Sequence, residues 1–438
     1  MRHTIYALST VYGKSAIAIF RISGKEAART FDIFKLNQPK PKTPALVKIF
    51  DGKTLVDEAL SIYFQKPNSF TGEDLVEIQC HGSLAVIKHI SDQLSKKFLL
   101  AEPGEFTQRA FFNNKLDLTK AEGIIDLINA ETKEQIKQTS RQFLGQLKDE
   151  YDRLRKSIIK AASYLEAYMD FPDEDITNVD IDKIKSLIDA VSEKISLYLK
   201  DNYVGEKIKK GFEVAIIGPP NSGKSTLFNY FARKDYAIVT NIPGTTRDTL
   251  ELKLDLNGYP VVIADTAGIH TTSDIIEKEG IKKAVKFAQN ADITIIMRDI
   301  KELDKNDPNR QNINHGTNFI YVASKADNTK QLNQIFNDKN FLPISVHENI
   351  NLKNLENKIF NILCKHNKES HIITNTRHRK ALKNALSHLK KIDLKNVLQL
   401  EIAAENLKIA SNYIGSITGA IHTDDILDKV FSEFCIGK

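Results

Sequence analysis

Cysteine is scarce in this chain of 438 residues, with Cys80, Cys364 and Cys435 the whole complement. Three thiols cannot all pair, and their spacing matches no metal-ligand pattern, which argues against a disulfide scaffold or a zinc module. No run of about 18 apolar residues occurs, so no membrane-spanning helix is expected. The opening Met1-Arg2-His3-Thr4-Ile5-Tyr6 lacks an apolar signal core. Together with few cysteines, this predicts a protein kept in a reduced cytoplasm, where it is made. No Gly-x-Gly-x-x-Gly dinucleotide fingerprint is present. Charge of one sign is also modest: 62 basic against 56 acidic residues leave a net +6, which permits RNA binding without requiring it.

What is present is the composition of a soluble globular protein, 41% apolar and 27% charged. The length exceeds the roughly 250 to 300 residues at which single cores stop growing, so two or three domains are expected.

Residues Gly218 to Ser225 read Gly-Pro-Pro-Asn-Ser-Gly-Lys-Ser, a complete GxxxxGK[ST] loop. It follows the apolar run Val214 to Ile217 and precedes the helix-compatible Thr226-Leu227-Phe228-Asn229. Strand, loop and helix in that order form a phosphate cradle. The glycines, with Asn221, Ser222 and Gly223, let backbone N–H groups face phosphate oxygens; Lys224 reaches the β- and γ-phosphates, and Ser225 ligates Mg²⁺.

Downstream residues narrow the nucleotide. Leu252, Leu254 and Leu256 alternate, then Val261 to Ala264 lead into Asp265-Thr266-Ala267-Gly268. Asp265 can hold Mg²⁺ through water, Gly268 can offer its N–H to the γ-phosphate, and Thr246 can complete the metal shell. These motifs resemble those of small GTPases, with Gly244-Thr245-Thr246-Arg247-Asp248 as a first switch. The guanine-reading Asn-Lys-x-Asp appears as Ser324-Lys325-Ala326-Asp327. Asp327 supplies a carboxylate for the guanine edge, whereas Ser324 lacks the amide that would contact the base or brace the phosphate loop, so weaker affinity is expected. The later Ser345-Val346-His347 resembles a Ser-Ala-Lys loop with two departures. GTP is favoured over ATP. Ile269 stands where Ras-like enzymes carry the water-orienting Gln, so hydrolysis must use another residue. Asn221 has two readings: a ligand for a monovalent cation bridging the phosphates, or a solvent-facing or turn-capping side chain.

Apolar residues recur at helical spacing at Leu154, Ile158, Ala161 and Leu165, at Ile184, Leu187, Ile188, Val191 and Ile195, and again at Leu382, Ala385, Leu386 and Leu389. Helical stretches therefore flank the nucleotide module. We expect one discontinuous all-α domain, residues 119–206 and 372–438, with the GTPase domain 207–371 inserted. Insertion is physically easy where two chain ends leave a domain close together. Residues 1–118 read as α+β: strand-like runs at Ala16 to Ile22, Glu58 to Phe64 and Leu75 to Gln79, and a helix at Leu84 to Leu94.

Six further segments point to a family. They are Phe20-Arg21-Ile22-Ser23-Gly24, Asn68-Ser69-Phe70-Thr71-Gly72-Glu73-Asp74, Gln79-Cys80-His81-Gly82, Pro103 to Phe111 with Asn114-Lys115-Leu116-Asp117-Leu118, and the final Phe434-Cys435-Ile436-Gly437-Lys438. With the nucleotide module they resemble, over essentially the whole chain, the tRNA uridine-5-carboxymethylaminomethyl modification GTPases, the MnmE (TrmE) family.

That resemblance implies a multidomain fold: a folate-binding-like α+β N-terminal domain that forms a homodimer, a helical domain, and an inserted Ras-like α/β P-loop GTPase domain. It places a one-carbon folate such as 5-formyltetrahydrofolate on Arg21, Glu77, Lys115 and Lys438. It makes Asn221 a K⁺ ligand with Thr240, Ile242 and Thr245, within a GTP site that also takes in Asn241 and Pro243. It gives Mg²⁺ to Ser225 and Thr246, and makes Glu277 the water-orienting carboxylate, acting through a second water. It implies an MnmG-type flavoprotein partner that supplies FAD in a heterotetramer, with tRNA as substrate. Cys435 has two readings, a small buried hydrophobe or a nucleophile toward C6 of the wobble uridine. Two competing expectations are a ribosome- or tRNA-associated regulatory GTPase without one-carbon chemistry, and a folate-dependent transferase whose nucleotide module is regulatory or decayed.

Overall fold

A computed structural model describes residues 3–170, 181–234, 237–238, 251–264, 291–302, 318–327, 341–365, 371–394 and 399–438. The chain divides into two compact units, one of Met1–Ile125, Gln142–Leu187 and Lys391–Lys438, the other of Asp126–Arg141 and Ile188–Lys390.

In the first unit, strands β1 (Ile5–Leu8), β2 (Ser15–Ser23), β3 (Ala45–Asp51), β4 (Thr54–Phe64), β5 (Leu75–Gly82) and β6 (Leu99–Leu100) form one sheet in the order β3-β4-β5-β2-β1-β6. Side chains alternate between faces along a strand. Ala18, Phe20 and Ile22 of β2 and Val76, Ile78 and Cys80 of β5 therefore share one buried core, with Ile87, Ile90 and Leu94 of the helix Leu84–Leu94 in the same cluster. The intervening positions go to the opposite face, and there β2 and β5 pair in a register that sets Arg21 opposite Glu77.

The family-like segments of this unit converge on one buried cation. Arg109 is 2% exposed, and its guanidinium donates to Glu73 at 2.9 Å, to Glu105 at 2.7 Å and to the His3 carbonyl at 2.8 Å. Ser23 donates to the same Glu73 carboxylate at 2.9 Å. A buried guanidinium persists only when its charge and donors are matched in this way. Behind it, the helix Gln146–Asp170 packs on the helix Leu400–Thr418. Buried Leu154, Ile158, Ala161 and Leu165 on the first carry the helical period read from the sequence, and they face a helix whose Ala403, Leu407, Ala410 and Ile414 are buried at the same spacing.

In the second unit, β7 (Phe212–Ile217), β8 (Ala237–Ile238), β9 (Glu251–Leu256), β10 (Tyr259–Ala264), β11 (Ile293–Asp299), β12 (Asn318–Ser324) and β13 (Phe341–Pro343) form a second sheet ordered β13-β12-β11-β7-β10-β9-β8. The run from β13 to β10 is parallel. β7 lies between two parallel neighbours, so both its faces are covered and Val214, Ala215 and Ile216 are all buried. Arg379 of the helix Thr376–Leu389 makes hydrogen bonds of 2.9, 3.0 and 2.5 Å to the Glu206 carboxylate and one of 2.6 Å to Asp201, and its guanidinium lies 3.9 Å from the Tyr203 ring centroid. Chain entering the sheet and chain leaving it are thus tied at one buried ion cluster.

Candidate functional site

The loop after β7 lies at the carboxyl end of a central parallel strand, where open α/β sheets bind ligands. Its shape follows from a few residues. Gly218 sits so close to β11 that a Cβ there would come within 2.3 Å of the Met297 carbonyl oxygen. Asn221 and Gly223 both adopt left-handed backbone angles, φ 62° and 90°, and Gly223 caps the helix Lys224–Ala232. That conformation is the one that turns successive N–H groups into a concave nest for an anion. Lys224 begins the helix, and its ammonium donates to the carbonyls of Gly218 at 3.0 Å and Pro219 at 2.8 Å, so the cation is held inside the loop. Asn221, Ser225 and Thr226 are exposed.

The base-reading segment is joined to this loop directly. Ser324 ends β12, is 4% exposed, and its hydroxyl lies 2.7 Å from the Ser222 carbonyl and 3.0 Å from the Arg298 carbonyl. One hydroxyl carries one proton, so it serves the nearer acceptor or is shared between the two. The expectation that Ser324 leaves the phosphate loop unbraced is therefore corrected: the shorter side chain reaches Ser222 because the end of β12 runs immediately beside the loop.

Beyond it, Asp327 is exposed and accepts a hydrogen bond from the Ser345 hydroxyl at 3.2 Å. Ser345 is held in turn, 1% exposed, in a bridge to Ile350. Val346 packs against the core of the unit, while His347 is exposed. Lys325 pairs with Asp299 at 2.7 Å. Burial pushes the Asp299 carboxyl up, but the Lys325 hydrogen bond, the Lys301 N–H and both lysine charges outweigh it and hold the group below its usual range. Asp299 went unnoticed in the sequence. Its only signal was an Asp closing an apolar strand.

Residues 4–115 match the family described as "GTP-binding protein TrmE N-terminus", and residues 118–435 match the MnmE helical domain. The chain belongs to the MnmE family. A tRNA modification GTPase MnmE of Neorickettsia sennetsu is 42% identical over 99% of this chain and 100% of its own length. Namesakes from Ehrlichia canis and Ehrlichia chaffeensis are 45% and 44% identical over 99% of this chain, and are covered over 99% and 100% of theirs. Among the described residues, no helix is long and apolar enough to cross a membrane.

Several residues expected in an MnmE site lie outside the described residues: Thr240, Asn241, Ile242, Pro243, Gly244, Thr245 and Thr246 of the first switch, Asp265, Thr266, Ala267 and Gly268 of the second, and Glu277. Of the expected folate contacts, Arg21 and Glu77 are brought together. Arg21 Nε donates to Glu77 Oε1 at 2.7 Å across β2 and β5. That bond uses one guanidinium donor and leaves the two terminal nitrogens and the second carboxylate oxygen without hydrogen-bond partners among the described residues, a set that fits an anionic, hydrogen-bonding ligand.

The carboxyl end lies against the same sheet. A Cβ on Gly437 would come within 2.6 Å of the Leu8 carbonyl, at the end of β1. Lys438 makes no ion pair with Glu77 among the described residues, and Lys115 lines a separate cavity of the same unit. Cys435 is exposed, which removes its reading as a small buried hydrophobe. Cys80, by contrast, is buried, and burial followed by the nearby Asp57 charge pushes its thiol up to about 12, leaving it inert at neutral pH.

Proposed function

We propose that this chain hydrolyses GTP to drive formation of the 5-carboxymethylaminomethyl group on the wobble uridine of tRNA. One observation carries the nucleotide half of this reading. The Ser324 hydroxyl ties the phosphate loop at Ser222 to the segment that ends in Asp327, so phosphate binding and base recognition sit on one hydrogen-bonded frame. Lys224 neutralises charge on the β- and γ-phosphates, Ser225 with Thr246 holds Mg²⁺, and Asp327 accepts from the guanine edge. Asn221, with Thr240, Ile242 and Thr245, would hold K⁺, which would supply positive charge where the transition state develops negative charge. Glu277 orients the attacking water.

The one-carbon half rests on the Arg21–Glu77 pair and on the tail packed at Leu8. A reduced folate would supply a one-carbon unit there, with Lys438 and, from the cavity that it lines, Lys115 answering its carboxylates. Cys435, exposed on that tail, is the nucleophile toward the uridine. The working assembly is a cytoplasmic homodimer through residues 1–118, with a flavoprotein partner of the MnmG type carrying FAD. In this reading residues 119–206 and 372–438 form one helical domain into which residues 207–371 are inserted.

Two measurements test the reading. The purified chain is expected to hydrolyse GTP far faster in KCl than in NaCl of equal strength; equal rates would remove the ion role of Asn221. Mass spectrometry of tRNA from cells lacking the chain is expected to show the wobble modification missing. Intact modification would overturn the assignment, and a GTPase that binds no formyl-folate would leave a regulatory switch in its place.

A further inference from the structure

The first unit holds a cavity of about 660 Å³ walled by the helices Glu105–Phe112, Leu118–Ile128 and Gln146–Asp170, the turn between the first two, and Thr418, Gly419, Ala420 and His422. Its lining is basic and aromatic together. Lys115, Lys120, Arg155 and Lys156 line it together with Asp117, and none of the four basic residues makes a side-chain hydrogen bond or ion pair among the described residues. A fifth lysine, Lys148, is neutralised by Asp152 at 2.5 Å. Arg155 Nε is shielded from solvent and has no hydrogen-bond partner among the described residues, a costly arrangement unless a ligand supplies the acceptor. At the mouth, Phe112 is 37% exposed and stands edge-on to His422, with ring centroids 6.2 Å apart.

Unpaired cations beside a partly exposed aromatic ring answer two parts of one ligand. Phosphate oxygens satisfy Lys120, Lys156 and the Arg155 guanidinium, and a nucleobase stacks on the ring. The volume lies within the roughly 300–1,000 Å³ range of sites that enclose a single small group. It therefore suits one everted nucleotide with its flanking phosphates, and not a duplex. We infer that this cavity is an RNA-docking site, which takes an unpaired nucleotide of the substrate on Phe112 and its backbone on Lys120, Arg155 and Lys156. The inference rests on the reading that this chain acts on tRNA.

The test is equilibrium binding of the full chain to an anticodon stem-loop RNA across a salt series. Lys120→Ala and Lys156→Ala are each expected to lower the slope of log K against log salt by about 0.7, the value for one lost phosphate contact on a single strand. Phe112→Ala is expected to weaken binding roughly tenfold with less change in slope. The two lysine changes lie on exposed or half-exposed helix positions, so a thermal midpoint within a degree or two of the parent certifies that the fold is kept. If the parent chain binds no RNA, the tRNA reading itself fails. If the parent binds and the lysine variants match it in affinity and slope, the cavity is not the site. Loss of polyglutamyl-folate retention with RNA affinity intact would likewise overturn the proposal in favour of a folate-tail site.

Discussion

Removing one oxygen atom tests how the nucleotide site is built. In Ser324→Ala the methyl group stays where the serine Cβ is, so packing beside Gly223, whose added Cβ would lie 3.7 Å from it, is preserved. What is lost is the hydroxyl that lies 2.7 Å from the Ser222 carbonyl and 3.0 Å from that of Arg298. A neutral hydrogen bond contributes about 0.5–1.5 kcal/mol net, and leaving a buried acceptor unsatisfied costs about 1–3 kcal/mol. Ser222 is 1% exposed, so its carbonyl has little water to turn to and the upper part of that range applies. The penalty falls on the conformation of the phosphate loop that presents its N–H groups, and nucleotide binding requires that conformation. At about 1.4 kcal/mol per factor of ten, a cost of about 2–3 kcal/mol should lower GTP affinity roughly 25- to 140-fold. Titration with a fluorescent GTP analogue measures this, and urea unfolding of the same variant separates loop effects from global loss of stability. A dissociation constant within twofold of the parent would refute the brace.

Two other perturbations address the same unit. The lowered Asp299 pKa means that its contribution to stability is fully present above the unfolded value near 3.8 and is lost as pH falls through the folded value. Asp299→Asn should therefore destabilise the unit at neutral pH, with the difference from the parent shrinking in acid; thermal midpoints from pH 7 down to pH 3 check this. Arg379→Ala leaves Glu206, 6% exposed, as an uncompensated buried charge, and should cost about 3–5 kcal/mol in denaturant unfolding.

Much of this architecture was legible in the linear chain because it depends on local signals. The phosphate loop needs glycines at fixed spacing between a strand and a helix, and that pattern is written in Gly218 to Ser225. The amphipathic period of residues 154–165 and the alternation in β2 likewise come from near neighbours, so the strand read at Ala16 to Ile22 is found at Ser15–Ser23 and the helix read at Leu84 to Leu94 is found there. β3 and β1 escaped notice. β3 is an edge strand of the first sheet with exposed Leu46 and Phe50, and β1 is only four residues long, so neither carries a full alternating pattern.

The order of residues by itself determined that a guanine-nucleotide loop, flanking helices and an α+β amino-terminal segment exist in this protein, because each is specified within one or two turns of backbone. Tertiary structure alone decided what those parts do for one another. Ser324 meets Ser222 across 102 residues and Arg379 meets Glu206 across 173, and Lys120, Arg155 and Phe112 come to share one cavity. Such meetings depend on which strands lie side by side and which helix faces are buried, and that is the outcome of packing the whole chain rather than of any window along it.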